Sequence, residues 1–209
     1  MKNKVWIASG LAVSIITSTL TATAADNNAV DYRNDTTGKR NAPNATPWGT
    51  WSKTIYCPAG SYVAGYMMKV EGDQKKGDDT ALNAVSLWCY NRDGRMVAGL
   101  QPHQGIWGRW GSHAAECPRG SYVTEFSLKV EPPQGKGDDT GANSVKFKCS
   151  NGAVMEVPGG GAWGTWSNWV TDTGFLNSAI CGVRAKFEGD QGKGDDTALN
   201  DLEFTWCRL

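Results

Sequence analysis

The chain has 209 residues, with 21 Lys and Arg against 21 Asp and Glu, 26 glycines, 10 tryptophans and six cysteines. A balance this neutral lacks the basic footprint that nucleic acid binding by counterion release demands, so neutral polymers remain open as ligands and nucleic acid does not. Two histidines, His103 and His113, and no Cys-x-x-Cys leave too few ligands for a zinc site; no metal and no cofactor is expected.

Residues 1–25 read as an export signal, with Lys2 and Lys4, an apolar stretch from Val5 to Leu20, and Ala22-Thr23-Ala24 as the cleavage site. The mature chain then starts near Ala25 or Asp26 and carries 19 basic against 21 acidic residues. Nothing downstream reaches the roughly 18 consecutive apolar residues of a membrane span, so a secreted or periplasmic protein that is not transmembrane is expected. Residues 26–47, rich in Asn, Asp, Thr and Pro, show no hydrophobic period and read as a disordered leader.

From Trp48 the chain repeats itself. Trp-Gly-x-Trp occurs at 48–51, 107–110 and 163–166, and each copy precedes a Lys-Val/Phe-Glu…Lys-Gly-Asp-Asp-Thr…Asn motif at 69–83, 129–143 and 186–200. The units run 48–106, 107–162 and 163–209, and a fixed period of this length means equivalent supersecondary units sharing one core in a single domain, 48–209.

Within each unit the period is two. Tyr122, Phe126, Leu128 and Val130 alternate with Glu125, Ser127 and Lys129, as do Tyr66, Met68 and Val70 in the first unit and Val183, Ala185 and Phe187 in the third. A second strand follows each acidic motif, with Val85, Leu87 and Cys89, then Val145, Phe147 and Cys149, then Leu202, Phe204 and Trp206 facing inward. No stretch shows a 3.6-residue period, and one sheet of about four short strands cannot cover its own apolar face. The fold class is therefore all-β, three sheets packed around a shared interior, with a propeller or trefoil as the other arrangements.

Two cysteines fall in each unit. Cys57 and Cys89 are 32 apart, as are Cys117 and Cys149, so one bridge repeated twice is the economical pairing, and Cys181 with Cys207 follows by elimination; six cysteines still permit 15 connectivities.

The motif and the Trp pairs together resemble the vitelline membrane outer layer protein I family over about residues 48–209. The resemblance implies a β-prism of three Greek-key sheets with pseudo-threefold symmetry, the C-terminal segment completing the first sheet, and an extracellular setting. Jacalin-type lectins share the prism shape, which points to glycans by analogy of fold.

Candidate functional residues follow from chemistry. Asp78, Asp79, Asp138, Asp139, Asp195 and Asp196 of the Gly-Asp-Asp-Thr turns read first as loop-holding Asx turns, since an active site need occur only once. Glu188, Asp190, Asp195 and Asp196 offer hard oxygens to calcium, but their order does not match an EF-hand loop. Glu71 and Glu188 read as cross-strand partners of Lys69 and Lys186, or as a glycosidase carboxylate facing Asp79 or Asp196. One tryptophan of each Trp-Gly-x-Trp pair is expected in the core. Trp88 and Trp169, without counterparts in the other units, are the candidates for stacking on a sugar. The sequence thus reads as a monomeric, non-enzymatic module that binds a glycan or glycoprotein surface. An enzyme acting on amino-sugar polymers and a toxin-associated receptor-binding protein are the alternatives.

Overall fold

A computed structural model describes residues 28–75, 80–135, 139–192 and 196–209, so the expected signal and the residues Asp78, Asp79, Asp138 and Asp195 lie outside the described residues. The chain starts with β1 (Thr36–Asn41) and the short strands β2 (Thr50–Trp51) and β3 (Ile55–Tyr56), then forms a long hairpin of β4 (Ser61–Val70) and β5 (Leu82–Asn91). β6 (Met96–Leu100), β7 (Arg109–Trp110) and β8 (Ala115–Glu116) lead to a second hairpin, β9 (Val123–Val130) and β10 (Ala142–Cys149). β11 (Val154–Glu156), β12 (Thr165–Trp166) and β13 (Val170–Thr171) lead to the third, β14 (Ser178–Phe187) and β15 (Leu199–Arg208). Among the described residues no helix is long and apolar enough to cross a membrane.

Three antiparallel sheets result, ordered β6-β5-β4-β7, β11-β10-β9-β12 and β1-β15-β14-β2, with β8, β13 and β3 extending the last strand of each. The fourth strand returns beside the first of the hairpin, which is Greek-key order. Each Trp-Gly-x-Trp segment pairs with the hairpin that precedes it in the prism, so β7 joins β4, β12 joins β9, and β2 joins β14 at the far end of the chain. The sheets therefore do not coincide with the sequence units. The glycine of each pair explains this geometry. Gly49, Gly108 and Gly164 have φ of 81°, 72° and 81°, and a Cβ on any of them would run into the backbone of Phe187, Val70 or Val130 where the segment crosses the hairpin.

Residues 28–47 are not a disordered leader. β1 pairs with β15 over Thr36–Asn41, Val30 bridges Tyr56, and Ala42 and Thr46 are buried. A polar segment forms a strand here because an edge strand needs only one partner and half-buried side chains. The N-terminal strands and the C-terminal hairpin thus share one sheet, as the resemblance implied.

The inward faces are those that the alternation predicts. Tyr66, Met68, Leu87, Phe126, Leu128, Phe147, Val183, Phe204 and Trp206 are fully buried, and Tyr66, Phe147, Phe204 and Phe126 form a chain of ring contacts at 4.5–5.5 Å. Disulfides join Cys57 to Cys89, Cys117 to Cys149 and Cys181 to Cys207. The first two hold the chain where it crosses from one sheet to the next, whereas the third lies within the β14–β15 hairpin.

Candidate functional site

The triplicated motif builds one polar network three times. Thr80, Thr140 and Thr197 donate to Oε2 of Glu71, Glu131 and Glu188 at 2.7 Å, and the amides of Asn83, Asn143 and Asn200 donate in turn to those threonine hydroxyls. All three asparagines are completely buried and the network holds the turn between hairpin strands; Asn143 Oδ1 accepts from the Trp163 amide and Asn200 Oδ1 from the Thr46 hydroxyl, while Asn83 Oδ1 has no partner among the described residues. Asp139 and Asp196 accept from the amides of Gln134 and Gln191 and close the loop in two units.

The lysines are not cross-strand partners of these glutamates. Lys69 Nζ donates to the carbonyls of Gln104 and Gly105, Lys129 Nζ to those of Gly161 and Ala162, and Lys186 Nζ to that of Pro47. Each ammonium ties down the segment leading into the next Trp-Gly-x-Trp, because an ammonium offers three donors and nearby carbonyls meet them at close range.

The tryptophans also depart from expectation. Trp206 alone among the described tryptophans is in the core, and none of the six in the Trp-Gly-x-Trp pairs is fully buried. Those pairs run along short edge strands at the prism corners, while hairpin residues fill the interior. Trp88 lies across Gly65 on an outer face, and Trp169 shares the outer face of the β9–β10 sheet with Lys146 and Lys148, at 5.5 and 5.3 Å from its ring centre. Lys146 sits closer still to Trp166, at 4.2 Å.

Threefold symmetry breaks most clearly at the loop Pro158-Gly159-Gly160-Gly161. On one side lies a cleft of about 460 Å³ lined by Lys129, Ser144, Glu156 and Trp166; on the other, one of about 370 Å³ lined by Glu71, Gly72, Asp73 and Trp163, which is 41% exposed. The loop is glycine because its backbone passes against Ser144, Asn143 and Ala81 with no space for a Cβ at Gly160 or Gly161. In the equivalent place beside the third acidic loop, His103 stacks on Phe187 at 3.5 Å and fills the gap. The copy beside the third acidic loop is therefore closed where this one is open.

Of the predicted site residues, the structure brings Glu71 to this cleft, leaves Trp88 and Trp169 on two different outer faces, and gives Glu188 to its own threonine. Trp163 and Trp166 belong to a pair that occurs three times, so their spacing does not single them out. The Gly-Gly-Gly run ahead of Trp163, found nowhere else in the chain, was the available signal.

The architecture is a three-sheet β-prism. It superposes on the Calystegia sepium agglutinin with a TM-score of 0.53 at 11% identity, covering 83% of this chain and 99% of that one. It superposes on a mannose binding jacalin related lectin from Ananas comosus with a TM-score of 0.50 at 14% identity, covering 83% and 100%. At such identities the likeness is one of fold.

Sequence carries the assignment further: residues 39–209 match the vitelline membrane outer layer protein I family, and the chain belongs to it. Its relatives include the vitelline membrane outer layer protein 1 homolog of Homo sapiens, 38% identical over 182 residues, 85% of this chain and 87% of the relative. The Mus musculus homolog is 39% identical over 168 residues, 78% and 80% of the two chains.

Proposed function

We propose that this protein is an exported, non-enzymatic glycan-binding module, and that the glycan lies across the paired clefts around Pro158–Gly161. One observation carries the reading. An exposed indole, Trp163, stands beside the carboxylate-bearing Glu71-Gly72-Asp73 strand end, with a second indole and Glu156 across the glycine loop. A sugar presents an apolar C–H face and a rim of hydroxyls, and a ring flanked by carboxylates and backbone amides meets both. The outward placement of the tryptophan pairs supports this use, since burial in the core would have been the cheaper location for them. Three disulfides fit an oxidising, extracellular setting.

The test is a glycan-array measurement on the mature chain from Asp26, with and without calcium, including chitin and peptidoglycan fragments. Specific binding is expected, and Trp163→Ala should weaken it by a factor of about 30, the cost of truncating an aromatic anchor. A folded protein that binds no glycan on the array, or whose binding ignores Trp163, would sink the proposal.

A further inference from the structure

The motif Cys-Pro-x-Gly-Ser-Tyr-Val occurs twice, at 57–63 and 117–123, each time where the chain turns from one sheet into the next. Both copies fold alike. Ser61 and Ser121 donate from their amides to the carbonyls of Pro58 and Pro118 at 3.0 and 2.9 Å, and Cys57 and Cys117 donate to the equivalent carbonyls of Cys181 and Ala64, both at 2.7 Å. The tyrosines that end the turns reach matching acceptors, Tyr62 the carbonyl of Arg208 and Tyr122 that of Asn91.

The first copy is occupied by the chain itself. Arg33, 5% exposed, places Nη1 on the carbonyls of Cys57, Pro58 and Ser61 at 3.2, 2.9 and 3.1 Å, and its guanidinium carbon lies 5.6 Å from the Tyr62 ring centre. Asp35 closes the arrangement with two hydrogen bonds, to Nε at 2.7 Å and Nη2 at 2.5 Å. Three converging carbonyls, a ring face and a carboxylate are the complement of a planar five-donor cation.

Among the described residues the second copy has no such occupant. The strand that would correspond to β1 is β6, and it is joined to β5 by a tight turn, closed by Gly94 N to Asn91 O and Asn91 N to Arg95 O, both 3.0 Å. The β5–β6 connection therefore brings nothing into the corner, and among the described residues a groove of about 350 Å³ remains, lined by Tyr90, Glu116, Cys117, Pro118, Ser121 and Tyr122 among others. Glu116, which accepts a hydrogen bond from the Tyr90 hydroxyl, puts a carboxylate into this lining. Arg119, standing where the first copy has Ala59, lies along the groove with Nη2 donating to the Asp93 carbonyl at 3.2 Å, and would repel a second cation.

We infer that the groove at Glu116–Tyr122 is a receptor for an arginine side chain presented by another polypeptide, the same guanidinium that Arg33 delivers to the first corner from within. It lies apart from the glycan clefts and stands or falls independently of them.

The test is an NMR titration of the ¹⁵N-labelled full chain with N-acetyl-arginine methylamide as the probe, and with the neutral citrulline analogue as its control. The arginine probe should shift the amides of residues 91–94 and 116–122 saturably, and the citrulline analogue should leave them unmoved. Glu116→Gln should weaken binding about tenfold, the value of one charge-assisted hydrogen bond, while Arg119→Ala should strengthen it. Both side chains are exposed, so the fold tolerates either change. Absence of saturable shifts at this loop, equal response to citrulline, or weaker binding by Arg119→Ala would overturn the inference.

Discussion

At the scale of single residues, the positions that decide most are those where the backbone passes close to other groups. Gly108 combines a φ of 72° with a Cβ position 2.5 Å from the Val70 carbonyl carbon, whereas Gly120 has a φ of 81° and open space around it. Gly108→Ala should therefore cost about 3 kcal/mol, from left-handed strain and overpacking together, and Gly120→Ala about 1 kcal/mol from strain alone. Denaturation midpoints of the two variants separate the contributions.

Asp201 is 2% exposed, and burial pushes its carboxyl up to about 6, against the opposing hydrogen bonds from Asn41, Ala42 and Leu202. Lys186 on β14 stands directly across from it and draws it downward without offsetting burial. Because the folded value lies above that of an unfolded carboxyl, the ionised group costs stability at neutral pH, and the cost is relieved as pH falls through 6. Wild-type stability should rise by about 2 kcal/mol between pH 7.5 and pH 4.5 from this group, and Asp201→Asn should be flatter across that window. Thermal unfolding followed against pH checks the difference.

At the scale of elements, β1 shows how an unpromising sequence becomes a strand. Its side chains are mostly exposed, and its place is secured by the ladder to β15 and by the anchor two residues upstream of Asp35. Arg33→Ala would strip three carbonyls and a carboxylate of their common partner, and a loss of about 2–3 kcal/mol is expected, since the carbonyls lose their donor while Asp35 stays in reach of water. Chemical denaturation gives the magnitude, and earlier proteolysis within residues 28–41 would show that the strand had been released. The Trp-Gly-x-Trp segments follow the same logic, each held by a glycine crossing and a lysine on its leading carbonyls.

At the scale of the whole molecule, the threefold scheme is closed in two different ways. At two sheet crossings a disulfide and a backbone donor, Cys57 N or Cys117 N, secure the corner. At the third crossing, the indole Nε1 of Trp206 donates to the Thr124 carbonyl at 2.8 Å, the position equivalent to Ala64 and Cys181. Asp172 gathers the hydroxyls of Thr37 and Ser178 and the amide of Gly174 around the turn. Trp206→Phe should cost about 2–4 kcal/mol, a lost hydrogen bond at a buried carbonyl plus a cavity, and calorimetric unfolding measures it. The clefts and the open corner belong to this scale as well, since each exists where one copy of a repeated interface departs from the others.

What the sequence determined by itself was set by neighbours along the chain. Alternation at i and i+2 placed Tyr66, Phe126, Phe147 and Phe204 on inner faces, and a motif repeated three times implied three sheets around one interior. The repetition also marks the Gly-Asp-Asp-Thr turns as loop-holding, but it points to their aspartates and gives no sign that Glu71, Glu131 and Glu188 bond the threonines. Only the tertiary structure decided which hairpin each Trp-Gly-x-Trp segment joins, that residues 28–47 complete a sheet, and that the tryptophan pairs face outward. It also decided that Arg33 fills one corner while, among the described residues, its twin stays open. The physical reason is that strand pairing and cavity filling depend on groups more than a hundred residues apart, such as Lys39 against Thr205, and no local period encodes which distant partner arrives.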